Sequence, residues 1–402
     1  MRDSQEVSRK NPTCLDILHD VLQAPTVFRD EGKLSFDYVP TALLHRDREF
    51  RQLGNFFRHM IDQPQAMGQR VIISGPVGSG KTALTKRFGQ DFETFARLKL
   101  KNPHSFFFLH VNCRRHTSPY QIILSIMKRF HSSYPHRGFS LGELFDSLLS
   151  SLRGLGKSLL LALDEVDYLL QLPKGTGLLY DLLRYGEETA HDRKPLSLIF
   201  VTRDRSFIES LDSSIQSSLQ NNHLVLQPYQ LTHLRDIIQA RADLALKRDV
   251  LISDALDLIS EIAFQHSDAR YAMELLWRAG KKADTEGSTK IYPEHVRAAV
   301  GTLSLGLDFE IFEYLTESQR VLLLAISKEL KGQGTAYVSF NSVAKTFAAI
   351  CEEKQLKEGQ FSLQTDLEYL RRQGVIFVKR NQSKGEQDIT LWDVTFSEIC
   401  NF

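Results

Sequence analysis

The chain has 402 residues, of which 42% are hydrophobic, 10% aromatic and 25% charged, the proportions of ordinary globular domains, and its length suits two or three of them. Fifty Lys and Arg against 49 Asp and Glu leave a net charge of +1, so bulk electrostatics announces no nucleic-acid partner and any such surface must be local. Cys14, Cys113, Cys351 and Cys400 form no C-x-x-C pair, which argues against a zinc or disulfide framework, and no apolar run approaches the ~20 residues of a membrane span; a soluble, cytoplasmic protein is expected.

Residues 1–35 read as an arm carrying a short helix over Leu15–Leu22, with the Thr13 hydroxyl as its cap. A domain over 36–228 starts on Tyr38-Val-Pro-Thr-Ala-Leu-Leu-His-Arg46. Pro40 disfavours helical geometry at Val39, so this piece is extended, and it leads into a helix over Glu49–Met60. The extended edge is either a loop packed on the next domain or one wall of an adenine pocket. A β-branched run from Val71 then ends in Gly75-Pro-Val-Gly-Ser-Gly-Lys-Thr82, followed by a helix over Lys81–Leu98. Strand, G-x-x-x-x-G-K-[ST] and helix together make a phosphate-binding loop. Its glycines let backbone N–H groups turn inward at phosphate oxygens, and the helix N-terminus adds its dipole. Gly75, Pro76, Val77, Gly78, Ser79, Gly80, Lys81, Thr82 and Ala83 are therefore candidate ATP or ADP contacts, with Lys81 a point charge for the β and γ phosphates and Thr82 a ligand for Mg²⁺.

Buried strands over Ser105–Val111, Ser158–Leu163, Leu196–Thr202 and Leu224–Leu226 alternate with helices over Tyr120–Phe130, Leu141–Leu152 and Gly177–Thr189. That alternation implies an α/β fold, a parallel sheet with helices on both faces and ligands at the strands' C-terminal ends. Asp164-Glu165 ends one such strand, expected to neighbour the phosphate-loop strand. Asp164 then belongs to the Mg²⁺ shell, and Glu165 orients and deprotonates the attacking water.

Over 229–305 the strands stop, and four helical stretches (Leu231–Leu246, Asp254–Phe264, Ala269–Ala283, Pro293–Val300) make a small all-helical domain. Arg270 opens its third helix, where a cation could reach a γ phosphate, but from the residues alone a lone arginine reads first as a surface ion pair. Residues 306–402 change character again. Helices over Glu317–Leu330, Val343–Glu352 and Ser362–Gln373 precede a hairpin of Val375–Arg380 and Asp388–Val394, the winged-helix order. Ser362, Gln364, Thr365, Arg371 and Arg372 on the third helix, with Lys379, Arg380 and Lys384 beyond it, are candidate DNA contacts; the same surface with its charges simply solvated would suit protein contacts.

The order of phosphate loop, Asp-Glu strand end, helical lid and winged helix resembles the archaeal AAA+ replication initiators of the origin-recognition-complex and cell-division-control type. The likeness runs from about Val27 to Lys384. Its marks are Tyr38-Val-Pro with His45-Arg46, the loop Gly75–Thr82, Leu163-Asp-Glu-Val-Asp167 and Ser267-Asp-Ala-Arg-Tyr-Ala-Met-Glu-Leu-Leu-Trp-Arg-Ala-Gly280. The resemblance implies that Arg270 senses the γ phosphate, and that Tyr38, Val39, His45, Arg46 and Tyr229 lie around the nucleotide. It also implies that the insertion around Tyr120–Gly138, with Arg137, touches DNA beside the winged helix. The implied partners are duplex origin DNA, a replicative helicase of the MCM type and other initiator paralogues, with no membrane, in a nucleoid-associated protein.

The chain departs from the family pattern in two places. Thr202-Arg203 stands where the fourth strand usually ends in an Asn, and Leu211-Asp-Ser-Ser214 stands where an arginine often follows. Arg203 can still meet phosphate as a cation but cannot position water as an amide does, and an arginine finger is worth ~10³–10⁵ in rate where it operates. Slow hydrolysis is expected, with nucleotide acting mainly as a switch. The competing expectations are an AAA+ regulatory switch whose winged helix binds protein, and a paralogue that regulates other initiators.

Overall fold

The computed structural model describes residues 13–131, 133–135, 138–184, 193–203, 216, 222–303, 315–354, 362–372, 375–380 and 387–391. Two compact units emerge, one of Asp37–Leu234 with His266–Ala269, the other of Met1–Phe36, Arg235–Gln265 and Arg270–Phe402.

Helix α1 (Cys14–Gln23) is the first element among the described residues. The first unit then begins with α2 (Asp47–Phe57) and α3 (His59–Asp62), and continues through β1 (Arg70–Ser74), α4 (Lys81–Lys99), β2 (Phe106–Asn112), α5 (Pro119–Met127) and α6 (Leu141–Gly154). It ends with β3 (Ser158–Asp164), α7 (Gly175–Arg184), β4 (Leu196–Val201) and β5 (His223–Val225). The expected tail of α7, residues 185–189, lies outside the described residues. The five strands form one parallel sheet in the order β2-β3-β4-β1-β5. Strands β3 and β4 are buried at every residue, which is why they read as unbroken apolar runs. One face packs on Leu53, Phe57, Leu84, Phe88 and Phe92 of α2 and α4, the other on Ile122, Ile126, Leu144, Leu148 and Leu182 of α5, α6 and α7.

The sheet order corrects one expectation. β3, which ends in Asp164, does not neighbour β1; β4 lies between them. The crossover from β1 through α4 carries the chain to the far edge at β2, and β4 later fills the gap. Sequence order fixes adjacency for only about two-thirds of consecutive strands.

In the second unit, α8 (Leu231–Ala245, its first turn in the other unit), α9 (Ser253–His266), α10 (Ala269–Thr285) and α11 (Pro293–Leu303) form the helical layer. Part of the opening arm is pinned to it. Trp277 Nε1 donates to Glu31 at 3.0 Å, Lys281 Nζ donates to the same carboxylate at 2.6 Å, and a Cβ on Gly280 would sit 2.4 Å from the Phe28 ring. The C-terminal part has α12 (Glu317–Gln333), β6 (Val338–Ser339), α13 (Phe340–Glu353), α14 (Leu363–Arg372), β7 (Ile376–Arg380) and β8 (Gln387–Leu391). Its sheet runs β6-β8-β7, antiparallel throughout. Three helices closed by a short antiparallel sheet are consistent with a winged helix. Leu367 and Leu370 turn the apolar face of α14 into the core with Leu322, Ile326 and Phe347. Gly374 and the turn at 381–386 fall outside the described residues.

Candidate nucleotide site

The loop after β1 leaves little room for side chains. Gly78 and Gly80 have φ of +76° and +86°, values that side-chain-bearing residues rarely adopt. A Cβ on Gly78 would lie 2.4 Å from Asp268 Cα, and one on Gly80 would lie 2.5 Å from Tyr229 Oη. Ser79 Oγ donates to Pro76 O at 2.8 Å and closes the turn. Lys81 is buried; its Nζ donates to Gly75 O at 2.6 Å and Pro76 O at 2.7 Å, so the ammonium sits inside the loop's curl.

Arg46 fixes the loop from behind. Its Nη2 donates to Ser79 O and to Gln227 O, each at 2.8 Å, Nη1 pairs with Glu49 at 3.3 Å, and the guanidinium lies 4.1 Å from the centroid of the Tyr229 ring. Its neighbour His45 takes positive φ and stacks on His233, with ring centroids 4.1 Å apart. Tyr38 and Val39 are partly exposed at the start of this unit. Of the residues expected around the nucleotide, Arg46 and Tyr229 thus meet one another, while His45 presents its ring to His233.

Asp164 ends β3, Glu165 follows it, and their side chains diverge. Asp164 is buried; its Oδ2 accepts from the Thr82 hydroxyl at 2.7 Å and contacts His110 Nε2 at 3.1 Å, while Oδ1 accepts from the Glu165 N–H at 3.0 Å. Burial opposes ionisation of this carboxyl, but the hydrogen bonds from His110 and Thr82 outweigh it and hold Asp164 below the ordinary aspartate range. Glu165 adopts a left-handed backbone, φ +52° and ψ +47°, unusual for a residue with a side chain and a form of strain that gathers at functional sites. Its Oε1 accepts from Asn112 Nδ2 at 3.3 Å, and its Oε2 lies 3.1 Å from Arg203 Nη2 and 3.7 Å from Arg114 Nη1.

His110, Asn112 and Arg114 escaped sequence reasoning. The available signal was polar residues closing the apolar run Phe106–Leu109, but its meaning depends on β2 pairing with β3, which sets Asn112 beside Asp164. Ser214 lies outside the described residues, and Arg270, in the first turn of α10, is exposed.

The candidate DNA contacts do not form one bare basic face. Ser362, Gln364 and Thr365 are exposed. Arg371 and Arg372 share Glu368, each at 3.4 Å. Lys379 Nζ donates to Glu261 at 2.8 Å and lies 3.7 Å from the Tyr337 ring centroid. Arg380 ends β7; Arg137 and Lys384 lie outside the described residues. Among the described residues no helix is long and apolar enough to cross a membrane.

An AAA-domain family model matches residues 67–211, and a Cdc6 AAA+ ATPase-type lid domain matches residues 235–301. ORC1-type DNA replication protein 1 of Sulfurisphaera tokodaii is 32% identical over 316 residues, 78% of this chain and 76% of that protein. The crystal structure of Cdc6p from Pyrobaculum aerophilum superposes with a TM-score of 0.78 at 24% identity, covering 93% of this chain and 98% of that one. The Aeropyrum pernix ORC1 protein, solved in complex with DNA, gives a TM-score of 0.61 at 26% identity over 93% of this chain and 96% of that one. Phosphate loop, acidic strand end and helical lid agree with these likenesses, and the chain belongs to the archaeal ORC1-type/Cdc6 family of replication initiators, which are AAA+ ATPases.

Proposed function

We propose that this protein is an ATP-dependent initiator that binds origin duplex DNA, helps recruit a replicative helicase of the MCM type and hydrolyses ATP slowly. The observation that carries the nucleotide half is the meeting of the Thr82 hydroxyl and the Asp164 carboxylate, 2.7 Å apart, at the mouth of a loop whose glycines admit no side chain. A hydroxyl and a carboxylate are the hard oxygen donors that suit Mg²⁺, which keeps waters and substrate phosphates as its other ligands. When bound, the ion neutralises charge on the β and γ phosphates. Lys81 and the loop N–H groups bind and orient the phosphates, Glu165 takes a proton from the attacking water, and Arg270 reaches the γ phosphate. The proposed domains are the AAA+ domain over 36–228, the lid over 229–305 and the winged helix over 306–402, behind an arm over 1–35.

The DNA half is supported by the likeness to a relative solved on DNA and by the exposed polar face of α14. A cytoplasmic, nucleoid-associated location follows from that role. Fluorescence anisotropy on origin and random duplexes, at two salt concentrations and with ATP or ADP, tests it. Tighter binding to origin duplex that survives higher salt is expected. Equal, weak binding that vanishes with salt would leave only generic electrostatics. Hydrolysis is expected below about 1 s⁻¹, the low end for phosphoryl-transfer enzymes, and a faster turnover would refute the switch role. One observation favours a second reading, a regulatory switch whose winged helix binds protein or other initiators: Arg371, Arg372 and Lys379 already face carboxylates.

A further inference from the structure

We propose that Arg203, assisted by Arg114, is a positioning residue that holds Glu165 in an ion pair and so sets the rate of hydrolysis. The inference rests on the reading of Glu165 as the base that activates water. Three donors converge on this carboxylate from two strand ends flanking β3. Asn112 closes β2, Arg114 stands in the short turn after it, and Arg203 follows β4 by two residues. The left-handed turn at Glu165 aims the side chain at them, whereas Asp164, one residue earlier, faces Thr82.

In the hydrolytic step, water oxygen bonds to the γ phosphorus as the bond to the β–γ bridging oxygen breaks. The electron pair leaves on ADP, and the water proton passes to Glu165. That transfer needs a carboxylate lone pair aimed at the water. Here Oε1 accepts from an amide and Oε2 lies between two guanidinium groups, so the side chain is held toward the neighbouring strand ends and these donors compete with the water for its lone pairs. The arginine side chains are 48% and 63% exposed, and such pairs are weak, so the latch adjusts the rate without abolishing it. A cation at 203 therefore slows the reaction through Glu165, the opposite of what the same cation would do against a γ phosphate.

The test is single-turnover hydrolysis of γ-labelled ATP by the full chain, as wild type, R203A, R203K, R114A and E165Q. Affinity for a fluorescent ATP analogue and the thermal midpoint are measured in parallel. The expected result is a rate about 3–10-fold higher in R203A with unchanged nucleotide affinity, a smaller rise in R114A, and a return toward the wild-type rate in R203K, which restores the charge. A slower R203A, or one that binds nucleotide more weakly, would place Arg203 on phosphate and overturn the proposal. So would an R203A that is unchanged, or an R203K as fast as R203A. An E165Q that hydrolyses at the wild-type rate would instead remove Glu165 as the base, and the proposal falls with that reading.

Discussion

The Arg46 guanidinium lies over the Tyr229 ring while one of its nitrogens bridges two carbonyls, Ser79 O and Gln227 O. That nitrogen joins the phosphate loop to the segment after β5, and the side chain is 6% exposed. Alanine there would leave both carbonyls without this donor in a buried setting and open a gap beside Tyr229. A loss of about 2–4 kcal/mol in stability follows, read as a lower guanidinium chloride midpoint, with roughly tenfold weaker nucleotide binding. Gly80→Ala acts on the same corner from the other side. Its new methyl would stand 2.5 Å from Tyr229 Oη at a φ of +86°. Gly80→Ala should therefore lose most nucleotide affinity, and adding Tyr229→Phe should recover only the steric part, since the backbone strain remains. The loop itself was legible in the sequence because its glycines encode backbone shape. Arg46's contact with Gln227 was not, because it joins residues 181 positions apart.

At the scale of elements, apolar runs and helical periodicity located the five strands of the parallel sheet and the helices around it, since a doubly covered sheet writes its burial into consecutive residues. Strand order was not written there, nor was β6, whose two residues are too few to show a period. Lys379 shows how an element's neighbours change a residue's meaning. The sequence presents it as a solvent-facing wing lysine, yet it holds Glu261 of α9. Burial raises the Glu261 carboxyl above its ordinary value; the Lys379 contact opposes that, and the Asp257 and Asp388 carboxylates add to it. The folded protein therefore binds a proton at Glu261 more readily than the unfolded chain does. Stability from this site is present below the unfolded glutamate value near 4.5 and is lost as pH rises through the elevated folded value. Glu261→Gln should flatten that part of the stability–pH curve. Urea midpoints of both proteins, taken at half-unit steps from pH 4 to 8, would show it, and parallel curves would refute it.

Over the whole molecule the charges nearly cancel, at +1, so DNA affinity has to come from a few local cations and has little long-range steering behind it. Each phosphate that a cation neutralises contributes about 0.9 to the slope of log affinity against log salt, and a protein making few such contacts has a shallow slope. Arg371 and Arg372 stand 55% and 76% exposed on the polar face of α14, and their shared partner Glu368 is a surface carboxylate that salt and phosphate can displace. Lys379 is less exposed, at 35%, and must give up Glu261 before it can meet a phosphate. These cations are therefore unequal. The double substitution Arg371→Ala/Arg372→Ala should lower the slope by about 1.8, whereas Lys379→Ala should lower it by less and also cost stability, because it strips a half-buried carboxylate of its cation. Glu368→Gln, which frees both arginines, should tighten binding and leave the slope at the wild-type value or steeper. A titration series from 50 to 300 mM salt on one duplex separates these cases. Equal slopes in all four proteins would mean that α14 does not face DNA phosphates, and the winged helix would then be free for a protein partner.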